Sequence, residues 1–85
     1  MVPRRSDWIN WGNFASDIVV FQQMSKQYLV LNTTARRIFE LSDGNVSAEQ
    51  IAGHLREEFG GLPDDVEADV RQTIEGLCEL GVLEC

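Results

Sequence analysis

Ile18-Val19-Val20-Phe21 and Tyr28-Leu29-Val30-Leu31, separated by the polar stretch Gln22-Gln23-Met24-Ser25-Lys26-Gln27, are the segments on which the fold turns. Both are short runs of β-branched, aromatic and leucine side chains, which suit the pleated surface of a sheet. Working toward the amino terminus, Trp8-Ile9-Asn10-Trp11 has the same character, and Gly12-Asn13 through Asp17 joins it to the second run. Connections this short favour hairpins. The first third of the chain therefore predicts three strands in an antiparallel meander.

Toward the carboxyl terminus the apolar period lengthens to that of a helix. Asn32-Thr33-Thr34 offers side-chain oxygens to cap a helix with apolar positions Ala35, Ile38, Phe39 and Leu41, closing near Ser42-Asp43-Gly44. Ser47 and Gln50 stand at capping-box spacing before the stripe Ile51, Ala52, Leu55 and Phe59, with Gly60-Gly61 as the stop. Pro63-Asp64-Asp65 opens a third helix whose stripe is Val66, Val70, Ile74, Leu77 and Leu80, with Gly81 at a left-handed cap. Three strands followed by three helices predict an α+β fold, a three-stranded antiparallel sheet packed on three helices, with winged-helix topology its nearest common description. Eighty-five residues are enough for one domain, of which residues 1–7 are expected to be flexible.

The side-chain inventory excludes much chemistry. His54 is the sole histidine and has no partner at ligand spacing, so neither a metal nor a general base is expected. Cys78 and Cys85 are too few for a disulfide scaffold and predict a reduced, cytoplasmic protein. Asp64, Asp65, Glu67 and Asp69 fit helix-start electrostatics and lack the pattern of a calcium loop. No glycine-rich loop opens a helix, no apolar run is long enough for a membrane span, and no signal peptide is visible. No catalytic residue and no cofactor are expected.

The net charge of −7 is unevenly distributed: residues 1–37 hold five basic and two acidic side chains, residues 38–85 two and twelve. An acidic helical half repels phosphate, which argues against nucleic acid. Arg71, the one basic side chain of the third helix, has Glu67 and Glu75 at four-residue spacing, so an intrahelical pair is the plain expectation.

Two features ask for a partner. Ile18 and Val20 alternate with Val19 and Phe21, and Leu29 and Leu31 with Tyr28 and Val30, so both sheet faces are apolar. Helices cover only one of them; the Trp8 and Trp11 segment, a second copy or a ligand must cover the other. The third strand, Gln27 to Leu31, also lies at an edge without proline or charge to guard it. It could accept an extended peptide as an added strand, or pair edge to edge in a homodimer.

Tyr28-Leu29-Val30-Leu31-Asn32-Thr33-Thr34-Ala35, with Ile38 and Leu41-Ser42-Asp43-Gly44, resembles the strand-to-helix junction of PqqD-like proteins. Ser47-Ala48-Glu49-Gln50-Ile51, Asp69-Val70 and Gly81-Val82-Leu83 extend the likeness over residues 8 to 84. The resemblance implies a non-catalytic element that binds the leader of a ribosomal precursor peptide in a cleft between the third strand and the third helix. Gln27, Tyr28, Leu29, Val30 and Leu31 would supply the edge, and Val66, Val70, Arg71 and Ile74 the helix wall. Lys26, Arg36 and Arg37 would join Arg71 in meeting acidic leader residues. Because the chain ends just after the matched segment, a free-standing adaptor is expected, serving a leader peptidase of a lasso-type pathway ahead of a radical enzyme as in PQQ biosynthesis. A winged-helix DNA-binding regulator is the alternative.

Overall fold

The computed structural model describes residues 1–60 and 66–85. The expected helix start at Pro63-Asp64-Asp65 and the second of the paired glycines, Gly61, lie outside the described residues. In chain order the elements are β1 (Arg4–Arg5), β2 (Ile9–Phe14), β3 (Asp17–Gln22), β4 (Gln27–Leu31), α1 (Thr33–Leu41), α2 (Ala48–Phe59), α3 (Val66–Glu79) and β5 (Leu83–Glu84). The main sheet is antiparallel in the order β2-β3-β4, and β1 and β5 form a separate two-stranded ribbon. The three-strand, three-helix order expected from the sequence is present, and the ribbon is additional.

Pairing of Val20 with Trp11 and Leu29, and of Ile18 with Asn13 and Leu31, fixes the sheet register. Alternation then sends Ile18, Val20, Leu29 and Leu31 toward the helices, where they join Ile38, Phe39, Ile51, Leu55, Val66, Val70, Ile74 and Leu77 in one core. Trp11 packs edge-on against Phe39, with ring centroids 5.4 Å apart.

The helices start where side chains can serve their free amides. Asn32 accepts from the Ala35 N–H, and Ser47 and Gln50 form the reciprocal capping box anticipated from their spacing. Helix α3 ends at Gly81, φ 76°, where the Val82 N–H donates to the Leu77 carbonyl and the Gly81 N–H to that of Cys78. This is the paired closure of a Schellman turn, and it sends the chain back along the helix end.

Two expectations are overturned here. Residues 1–7 are pinned: β1 pairs with β5, Pro3 is buried, and the carbonyls of Met1 and Pro3 accept from Ala48 and Gly44. The Arg5 guanidinium donates to the Phe39 and Glu40 carbonyls at 3.1 and 3.0 Å, at the carbonyl end of α1 where positive charge is favoured. Cys78 and Cys85 are joined in a disulfide across a Cα separation of 6.4 Å. The reversal at Gly81 brings the last residue beside the final turn of α3, a proximity that a count of two cysteines cannot reveal.

The capping box makes a direct prediction. Ser47→Ala lowers the unfolding free energy by about 1 kcal/mol in urea titrations, with the native spectrum unchanged.

Candidate functional site

The edge of β4 is the first component of the site. The Gln23 N–H donates to the Trp8 carbonyl, and the antiparallel alternation that continues from this bond turns the backbone groups of Val19 and Phe21 toward β2. Those of Ile18, Val20 and Gln22 face β4, where Leu31, Leu29 and Gln27 are their partners. The N–H and C=O groups of Tyr28 and Val30 therefore point away from the sheet, unmatched by any strand among the described residues. Their side chains are equally open, at 74% and 61% exposure.

A narrow groove adjoins this edge. Gln27, Tyr28 and Leu29 line one side, Leu80 and Val82 the other, and Val20 and Gln22 complete the lining; the enclosed volume is about 30 Å³. Leu80 is 46% exposed. The second wall is thus the turn that follows α3, rather than the helix itself.

The helix-wall candidates divide accordingly. Val66, Val70 and Ile74 are buried in the core and do not line the groove, because the stripe that made them conspicuous is the stripe that packs α3 onto its neighbours. Arg71 is exposed but bonds to Glu49 of α2, not to Glu67 or Glu75 of its own helix. Leu80, Val82 and Gln22 were missed as site residues. The alternation of β3 already contained a signal for Gln22: it shares the inward parity of Ile18 and Val20, where an amide must find partners.

Among the described residues, nothing covers the outer face of the sheet. The Trp8 and Trp11 segment that could have shielded it forms β2 and its continuation within the sheet. Phe21 and Tyr28 pack ring against ring at 4.8 Å. Asn10, Gly12, Phe14, Val19, Phe21 and Tyr28 border an open concavity of about 440 Å³. Gly12 leaves its floor bare, since a Cβ there would meet nothing within 4 Å, and Phe14 stands 73% exposed beside it.

Most basic side chains are engaged. Arg36 lies 3.5 Å from Glu40, Arg37 donates to Glu58 at 2.6 to 2.9 Å, and Arg56 reaches Glu67. Lys26, at the tip of the β3–β4 hairpin with φ 61°, is the one lysine or arginine among the described residues with no side-chain hydrogen bond or ion pair. Among the described residues, no group of three or more histidine, cysteine or acidic side chains is placed to hold a metal.

The family model described as coenzyme PQQ synthesis protein D (PqqD) matches residues 17–83. No curated protein matches the chain. Among solved structures, the chain is similar to TbiB1 in complex with the TbiA(β) leader peptide, at 22% identity and a TM-score of 0.84 over 95% of this chain and 94% of that one. It is also similar to a lasso peptide synthetase B1 complexed with the leader peptide, at 24% identity and a TM-score of 0.85 over the full length of both. At these identities the likeness establishes a shared fold.

The ion pairs give stability a pH dependence of definite sign. The hydrogen bonds from Arg37 hold the Glu58 carboxyl below the usual range, and Glu49 is lowered by its own backbone amide and by Arg71. A depressed carboxyl adds stability above its unfolded pKa and loses it as pH falls through the folded one. Urea unfolding will show stability declining on acidification through and below the ordinary glutamate range, and Arg37→Gln will make that decline shallower. The change will be small, because these pairs are exposed.

Proposed function

The chain belongs to the PqqD family, and from that premise we propose that it is a non-catalytic adaptor which captures the leader of a ribosomal precursor peptide as a fourth strand on β4. The observation that carries this reading is the free backbone edge at Tyr28 and Val30 beside the groove closed by Leu80 and Val82. Main-chain bonds at such an edge give affinity without demanding a sequence, and the adjoining groove reads alternate side chains. Gln27, Leu29 and Leu31 hold the edge strand in register while Tyr28 and Val30 present it.

Peptide side chains on the outer face would lie beside Tyr28 and Val30 and extend the uncovered apolar surface. Lys26 is placed to meet a carboxylate at the hairpin end of the added strand. Arg36, Arg37 and Arg71, already paired, are not drawn on for this. Val66, Val70 and Ile74 support the groove from within the core.

Presentation of the captured peptide to a leader peptidase, in lasso-type maturation, is the favoured setting. The two structural relatives bound to leader peptides support it. A radical enzyme of the PQQ type is the second setting. Edge pairing of two copies through β4 would compete with the peptide for the same backbone groups. DNA-binding regulation, the alternative on a winged-helix topology, is opposed by the exposed face of α3, where Glu67, Asp69, Glu75 and Glu79 outnumber a paired Arg71.

Proline at Val30 separates the edge from the fold, because the N–H it removes faces outward whereas that of Leu29 bonds to β3. In titrations with a synthetic peptide copying the leader half of a candidate precursor, Val30→Pro weakens binding about tenfold or more while the fold is retained. Equal affinity for the variant would exclude strand addition. Flat titrations for the native protein, with salt-sensitive DNA binding instead, would replace the adaptor by the regulator. In the same assay Lys26→Glu slows the association of an acidic leader, most strongly at low salt where the added repulsion is least screened.

A further inference from the structure

We propose that Gln22 is a positioning residue that latches the two walls of the peptide groove at a fixed separation. This rests on the leader-binding reading of that groove. Gln22 is the last residue of β3 and is only 8% exposed, one of two buried polar residues among those described. Its carboxamide is used at both ends. Oε1 accepts from the Met24 and Ser25 N–H groups at 2.6 and 3.2 Å, shaping the hairpin that leads into β4. Nε2 donates to the Gly81 carbonyl at 3.0 Å, in the turn that carries Leu80 and Val82. Among the described residues this is the one hydrogen bond that joins the β3–β4 hairpin to residues 80–82.

Gly81 is fitted to the amide. A Cβ there would stand 2.6 Å from Gln22 Nε2, and its φ of 76° already disfavours other residues. Backbone conformation and close approach thus select glycine at the point where the latch engages. The gap it governs is small, about 30 Å³. Any change in wall separation alters what the groove admits, so the amide acts on the peptide through geometry without needing to touch it.

Gln22→Glu tests the latch, because its carboxylate still accepts from Met24 and Ser25 but cannot donate to Gly81. Burial and the Gly81 carbonyl favour the protonated carboxyl while the Met24 and Ser25 amides favour the ionised one, and once protonated it donates again. With the synthetic leader peptide used above, the variant binds about tenfold more weakly than the native protein at pH 7.5, the worth of roughly one buried hydrogen bond. The ratio of the two affinities returns toward one as the pH is lowered through the variant's own carboxyl titration, followed by the chemical shift of the new side-chain carboxyl carbon. Gln22→Met, which neither accepts nor donates, stays weak at every pH.

In peptide-free protein, the Val82 amide resonance and the proximity signals between Leu29 and Val82 follow the same titration, while the Met24 and Ser25 amides hold still. A simple loss of stability would lower the melting temperature without this pH-reversible change in the folded state. Equal affinity of Gln22→Glu and native protein at pH 7.5, or a defect that protonation of the new carboxyl does not relieve, overturns the proposal. If the native protein binds no leader, the adaptor reading fails, and the peptide-free signals still decide whether Gln22 holds the walls.

Discussion

A sheet of three strands has one interior strand and two edges, and the rest of this structure depends on how β3 is held between them. Its side chains alternate with period two, so a slip of one residue would carry the buried Ile18 and Val20 to the outer face and bring Val19 and Phe21 inward. The helices meet one face only, and burial on that face therefore fixes the register. Strands β2 and β4 are each paired on a single side. The open backbone at Tyr28 and Val30 follows from that arithmetic.

The second wall of the groove comes from the way the chain ends. Helix α3 spends Val66, Val70, Ile74 and Leu77 on the core, leaving no apolar stripe to offer a peptide. The Schellman turn at Gly81 reverses the backbone, β5 pairs with β1, and the Ser6 N–H donates to the Val82 carbonyl. These constraints set Leu80 and Val82 opposite the start of β4. The first residues, the last residues and the hairpin thus meet around one small cavity, with the Gln22 amide bridging hairpin and turn.

What could be read from the sequence was whatever repeats or caps. The strands around Ile18 and Tyr28, the Asn32 cap, the Ser47–Gln50 box and the glycine at position 81 all stand where local chemistry puts them. The β1–β5 ribbon was invisible because two-residue strands have no period. The partner of Arg71 was misjudged for a related reason: spacing along α3 points to Glu67 and Glu75, whereas the packing of α2 on α3 supplies Glu49. The resemblance implied Val66, Val70 and Ile74 as a peptide wall, whereas the apolar stripe of α3 already marked them as the face a helix buries. The groove residues Leu80 and Val82 follow the helix, where periodicity ends.

The charge distribution acquires its meaning only after folding. By sequence the first half is basic and the second acidic, but Arg37 folds onto Glu58, Arg36 onto Glu40, Arg4 onto Glu84, and Arg56 and Arg71 onto helix carboxylates. Pairing consumes the cations and leaves a molecule of net charge −7 whose acidic helices repel an acidic peptide over most approaches. Lys26 stands apart from these pairs, at the hairpin tip where β4 begins. Electrostatics therefore acts here less through attraction than through exclusion: an acidic strand meets the least opposition when its carboxylates face the hairpin, which favours one placement along an edge whose backbone bonds alone would accept several.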